Sequence, residues 1–439
     1  MDDLFFTGSS IELVNNGRFI NPWLAGWTEA FASERFYYFP PALPYLLAGW
    51  IFIFGVSTAS ITAFHMGVHS VLQMATLRLA RRAGAGLLTS LAAAAIAGLL
   101  TAGYGLRPDT LALALVALAQ FPAFRKDGVS WLVSAVFSAA AVITHPLALA
   151  LVLPLFVLQM EAAARHGAPR LQFLAWTSAG VMVVFGGFLV AISGEIVEFI
   201  RTMNTHRGFV VAGGWLDRPG QFWQTLGLGW EPWFCGAMYA LALVTAVVTC
   251  VRDDRLRTVW WRRLWTAWAI ALLLGAFLYP GRMVRYGAYT GIALAVVAWS
   301  RRPAARPVAC AALGLAVLHN AALFLEPFFS DRSRPDPDVV REIVLKNRHK
   351  TLCVDEVAAR YVFDFKLPPN SRDWLLRQAP PKGAFGRAAD KPADELWIAN
   401  EWKFERYVPD SGVRASRLQV GPFAMQSQPG SPYRLHVLE

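Results

Sequence analysis

Charge is what this sequence has least of. Asp, Glu, Lys and Arg make up 16% of its 439 residues, against about a quarter in a soluble domain. Hydrophobic residues reach 55%, and the mean hydropathy is +0.39. That balance excludes an ordinary water-soluble globule. Cysteine is scarce too. Cys235, Cys250, Cys310 and Cys353 show no paired spacing, and three of them fall in apolar segments. Neither a disulfide framework nor a zinc site is indicated. No cleavable signal peptide, internal repeat or low-complexity tract is visible.

Long apolar runs stand where the charge is missing. Segments near 59–77, 84–104, 110–124, 130–144, 146–160, 171–193, 232–251, 264–280, 286–300 and 307–325 approach the roughly 20 residues that cross a bilayer. Ten spans of a polytopic, α-helical membrane protein are expected. The net charge of +11 suggests nucleic acid at first sight. Its placement argues otherwise. The short loops at one set of helix ends carry Arg78, Arg81, Arg82, Arg125, Lys126, Arg165 and Arg170, then Arg252 to Arg263 and Arg301 to Arg306. Only Asp127, Glu161, Asp253 and Asp254 stand against them. These loops hold the whole basic excess, which is the positive-inside signal, so no nucleic acid is needed.

With those loops inside, parity requires that Pro41–Val56, only about 16 residues long, does not cross. It reads as a re-entrant or interfacial helix. The stretch before it combines an acidic pair, Asp2-Asp3, with many aromatics up to Tyr37-Tyr38-Phe39-Pro40-Pro41. Such a segment is expected to lie at the outer membrane surface, where one carboxylate can serve as a base; a plain solvated pair is the bland alternative. Arg107, Arg201, Arg207, Arg218, Arg282 and Arg285 fall on that same outer side, which should be poor in arginine. An anionic ligand is the simplest reason.

Each candidate has a structural rival. Asp109 follows Arg107-Pro108 and fits a helix start as well as a catalytic site. His145, before Pro146, is either a site residue or bonded to a helix-end carbonyl. Arg282 and Arg285 share a helix face, suited to phosphate or to snorkelling. Arg201, His206 and Arg207 either cover the site or form a solvated face of a loop over 194–230. His65 and His69 stand one turn apart with no third ligand nearby and read as a packing or hydrogen-bonding pair, so no metal site is expected.

From about Phe328 the composition changes. Asp331–Pro337 reads as a linker, Lys350–Asp355 and Glu395–Asn400 as short buried strands, and Glu356–Phe365 as a helix between them. The expected organisation is an outer-surface segment over 1–58, a transmembrane domain over 59–326 and a small extracytoplasmic α/β domain over 327–439.

The order of features is an acidic pair, an amphipathic stretch ending Tyr-Phe-Pro-Pro, a short apolar helix ending Phe54-Gly55, a span ending Arg81-Arg82, and Arg107-Pro108-Asp109. Over residues 2–150 this resembles the bacterial membrane glycosyltransferases of the GT-C fold, the branch related to protein O-mannosyltransferases and the lipid A aminoarabinose transferase. Phe39 stands where the aminoarabinose branch has a Glu-Lys pair, and His65 where many members have arginine. A transmembrane helix precedes the acidic pair in that family and is expected upstream of Met1.

The resemblance implies sugar transfer from a polyprenyl-phosphate carrier to a glycan, lipid or protein acceptor on the outer face of the plasma membrane, without a cofactor. It maps the base to Asp2 or Asp3 and an assisting carboxylate to Asp109. Arg282-Met283-Val284-Arg285-Tyr286 matches its phosphate-contacting motif. Arg107, His145, Arg201 and Arg207 are expected beside the substrate. The rival classes are a transporter or flippase for a lipid-linked anion, and a non-catalytic carrier-binding protein. A transporter predicts charges within spans and matched broken helices, and few mid-span charges are found.

Overall fold

Helix starts and stops in the first half of the chain follow local chemistry. A computed structural model describes residues 3–24, 41–82, scattered positions between 86 and 95, 107–123, 125–210, 337–373, 393–400, 417–420, 423–426 and 435–438. Its helices are α1 (Asp3–Asn16), α2 (Ala42–Phe54), α3 (Thr58–Arg82), α4 (Pro108–Ala123), α5 (Gly128–Thr144), α6 (Leu149–Arg165), α7 (Arg170–Ala191) and α8 (Ile196–Val210). The C-terminal part adds α9 (Pro337–Lys346) and α10 (Glu356–Tyr361).

Gly55 ends α2 at φ 79°, a left-handed conformation that glycine adopts without strain. Asp127 caps α5, accepting from the Ser130 amide and the Ser130 hydroxyl, each at 2.8 Å. Those two donors hold its carboxyl below the usual carboxylate range. His145 stands before a proline, which disfavours helical backbone. It is extended and closes α5, and a 3-10 turn at Pro146–Ala148 leads into α6.

Among the described residues one helix, α7, is long and apolar enough to cross a membrane, with 22 residues and mean hydropathy 1.9. At 1.5 Å per residue it covers about 33 Å, enough for a hydrocarbon core of about 30 Å. The apolar helices α2, α4 and α5 are shorter, at 13, 16 and 17 residues. The last two cover only about 24–26 Å. α4 and α5 coincide with the apolar runs at 110–124 and 130–144, which are themselves short. α7 leaves Leu171, Met182, Val183 and Val190 exposed, and α2 leaves Phe52, Ile53 and Phe54 exposed.

Small residues let α4, α5 and α7 approach closely. Ala112, Ala114, Ala117, Ala119 and Ala141 are buried in one cluster with Leu72 of α3 and Leu151, Leu155 and Leu158 of α6. A polar seam runs through it. The Ser134 hydroxyl donates to the Ala119 carbonyl at 2.8 Å, and the Gln159 amide donates to Ser134 at 2.6 Å, tying α4, α5 and α6 together. At the α5–α7 contact, Trp131 meets Phe173 edge-on at 5.4 Å between ring centroids.

The C-terminal part carries a four-stranded sheet in the order β2 (Ser371–Asp373), β1 (Thr351–Val354), β3 (Glu395–Asn400), β6 (Leu435–Leu438). β1 runs parallel to β2 and β3, and β6 is antiparallel to β3. A separate hairpin joins β4 (Arg417–Val420) to β5 (Phe423–Gln426). The strands expected at 350–355 and 395–400 are there. The helix between them stops at Tyr361, because Asp364 and Phe365 turn the chain at φ 51° and 61°.

This sheet does not have a core to itself. Val354, Ala358 and Ile398 share one hydrophobic cluster with Leu4 and Phe6 of α1, Leu43 and Leu47 of α2, Ile61 of α3 and Leu111 of α4. The start of α3 is pinned to the turn after α10. Asp364 accepts from the Thr58 amide, the Thr58 hydroxyl donates to the Arg360 carbonyl at 2.8 Å, and the Arg360 guanidinium donates to Thr62 at 2.8 Å. Asp364 therefore caps a helix some 300 residues away in sequence. Losing such a cap costs about 1–2 kcal/mol. Asp364→Ala and Arg360→Ala are each expected to speed protease cleavage within 337–373 by roughly 5- to 30-fold. Unchanged cleavage in both variants would show that these bonds add nothing to docking.

Candidate functional site

The first turn of α4 gathers two of the expected site residues. Pro108 suits the first helical position because it has no amide hydrogen to leave unbonded. Asp109 places a carboxylate in the first turn, where the helix dipole favours it. Arg107, just outside the helix, reaches back so that its Nε lies 3.3 Å from Asp109 Oδ1. The two side chains are only 13% and 19% exposed. A charge pair this sheltered from water is screened far less than a surface pair. It offers one carboxylate and one guanidinium side by side.

Neighbouring elements converge on the same end of the helices. Leu111, one residue after Thr110 in that first turn, belongs to the cluster that includes Leu4, and Leu4 follows Asp3 at the start of α1. α1 is a 14-residue helix anchored by buried Leu4, Phe6, Ser9 and Ser10. The Ser10 hydroxyl donates to the Pro44 carbonyl of α2 at 3.0 Å. The surface-lying stretch expected from its aromatics is thus, over α1, a packed helix. Its polar side chains face the protein as well as water. Gly8 allows the chain to fold back, since a Cβ there would lie 2.5 Å from Asn21 Oδ1.

His145 ends α5, and a four-residue link between Ala123 and Gly128 makes α4 and α5 a hairpin. Its start and its finish, Arg107-Asp109 and His145, therefore lie at one end. His145 is 4% exposed. Its amide donates to the Ala141 carbonyl at 2.9 Å and its carbonyl accepts from Ala148 at 2.9 Å. Its backbone terminates the helix.

Arg201 is not in this group. It lies on α8, 59% exposed, and pairs with Glu198 one turn earlier at 3.2 Å. The loop expected over 194–230 is helical from Ile196 to Val210, because Ile196, Phe199 and Ile200 recur at helical spacing and the Glu198–Arg201 pair supports it. Arg207 lies on this helix and Asp3 opens α1, and only their backbone is described. Asp2, Arg282, Arg285 and Tyr286 lie outside the described residues.

Arg360 and Asp364, which hold the C-terminal part against α3, were not candidates from sequence. Ser57-Thr58 before an apolar run is a legible helix start. Its partners, about 300 positions away, carry no local signal. No family model, curated protein or solved structure matches the chain.

Proposed function

We propose that the chain is a polytopic membrane glycosyltransferase of the GT-C type, taking its sugar from a polyprenyl-phosphate carrier on the outer face of the membrane. The observation that carries this reading is the sheltered Arg107–Asp109 pair, 3.3 Å apart, at the helix end shared with α1 and the C-terminal sheet. Transfer needs two things that such residues supply. A carboxylate of Asp2 or Asp3 takes the proton from the acceptor hydroxyl or amine as it attacks the anomeric carbon, with Asp109 assisting. The carrier phosphate leaves with the bonding electrons, and arginine stabilises it because the guanidinium fork matches two phosphate oxygens. Arg107 serves here with Arg282, Arg285 and Tyr286, and His145 and Arg207 complete the substrate side. A single displacement inverts the anomeric configuration.

The membrane setting is supported by α7 and by the apolar faces left open on α2 and α7. The basic loops at Arg78–Arg82, Arg125-Lys126 and Arg165–Arg170 then lie inside. Replacing Asp2 and Asp3 together by Asn tests the base. Expected is loss of transfer with the protein still inserted and the carrier still bound. Transfer at the unaltered rate would overturn the assignment of the base.

A further inference from the structure

His65 and His69 lie on one face of α3, with Thr58 and Thr62 above them on the same stripe, at steps of four, three and four residues. The two Nε2 atoms are in direct contact. The ring centroids are 4.2 Å apart and the ring planes are inclined at 50°, so the rings meet at their nitrogen corners instead of stacking. His69 is 4% exposed, whereas His65 is half-buried.

Two imidazole nitrogens that face each other hold between them either a proton, donated by one neutral ring to the lone pair of the other, or a metal ion. Both rings cannot be protonated at that contact, because the like charges repel at close range. We propose that His65 and His69 bind one transition-metal ion of the Zn2+ class through their Nε2 atoms.

Three features favour the ion over the proton. The one-turn spacing fixes both donors on a single rigid helix, so little freedom is lost when they chelate. Imidazole is a preferred ligand for Zn2+, Cu2+ and Ni2+, and binding follows the usual order in which Cu2+ exceeds Zn2+. Half-buried His65 gives the ion a way in. Zn–N bonds of about 2.0–2.1 Å require it to swing outward by about 1 Å, toward its open side. Among the described residues no group of three or more His, Cys, Asp or Glu converges. Among the described residues the pair therefore supplies two donors, and water can fill further positions on the half-buried side of His65.

The test uses the full chain purified in detergent, stripped with a chelator and titrated with Cu2+ under electron paramagnetic resonance. Expected is one tightly held equivalent whose spectrum carries splitting from two nitrogens, with Zn2+ competing for it. His65→Ala, at the half-buried position, is expected to weaken binding by roughly tenfold or more. His69→Gln, which keeps a polar group in the buried position, is expected to do the same, and His349→Ala to leave binding unchanged. Equal binding by the wild-type and His65→Ala chains would identify the pair as a proton-sharing contact and overturn the proposal. So would a spectrum with fewer than two nitrogens.

Discussion

Asp109→Asn is expected to slow sugar transfer by roughly 100-fold or more, the usual worth of a carboxylate engaged in proton transfer. Asn keeps the size of the side chain and its ability to accept a hydrogen bond in the first turn of α4. What it removes is the negative charge 3.3 Å from Arg107 Nε. If Asp109 had only a structural role, the loss would fall on stability, as the dipole term of about 0.3–1 kcal/mol and the missing partner of the sheltered Arg107. Activity per folded molecule would then be unaltered. Initial rates at saturating donor separate the two cases, because a group acting in the chemical step lowers kcat whatever the donor concentration. Arg107→Lys supplies the companion measurement. It keeps the charge but loses the fork, so it should raise the donor concentration needed more than it lowers the maximal rate.

Gly180→Val should strongly destabilise the packing of α7 on α5. A Cβ at Gly180 would lie 2.7 Å from the Leu132 carbonyl oxygen and 2.8 Å from Ala135 Cβ. The first of these is backbone and cannot rotate aside, so α7 must move off α5. Overpacking of this kind costs about 1–3 kcal/mol, and the γ-carbons of Val add to it. The movement also disturbs the Trp131–Phe173 contact, because Phe173 is on α7 and Trp131 on α5. Gly186, on the same helix, has nothing within 4 Å of its Cβ position. Gly186→Val should be neutral or slightly stabilising, since Val is the better helix former. Thermal unfolding in detergent reads the difference. Equal midpoints for the two variants would mean that α5 and α7 do not pack in this way.

Local signals carried much of the fold and little of its assembly. The apolar runs read at 130–144 and 171–193 are the helices Gly128–Thr144 and Arg170–Ala191, because Asp127, Pro146 and Pro169 mark their ends in the sequence itself. The strand read at Glu395–Asn400 has those bounds, set by six residues of mostly apolar character. Pro41–Val56 was read as a short helix that does not cross. Ala42–Phe54 buries Leu43, Leu47 and Ile51 and leaves Phe52 to Phe54 outside, a pattern an interfacial helix shares.

The connection expected over 194–230 contains a helix from Ile196 to Val210, which rests on spacing and an ion pair that composition does not weigh. The contacts that bring the C-terminal part to α3 join residues about 300 positions apart, and nothing in the neighbourhood of Asp364 announces Thr58. At the site, the Arg107–Asp109 pair was legible because both members lie within one turn. The Arg201–Glu198 pair was not, since it depends on the helix from Ile196 to Val210.

The most direct test follows radiolabelled sugar on a polyprenyl-phosphate carrier, presented to membranes that contain the full chain. The proposed transferase predicts that label leaves the carrier, and that Asp2→Asn with Asp3→Asn stops the release. Carrier that binds without losing its sugar would contradict transfer and move the chain to the carrier-binding or transport class.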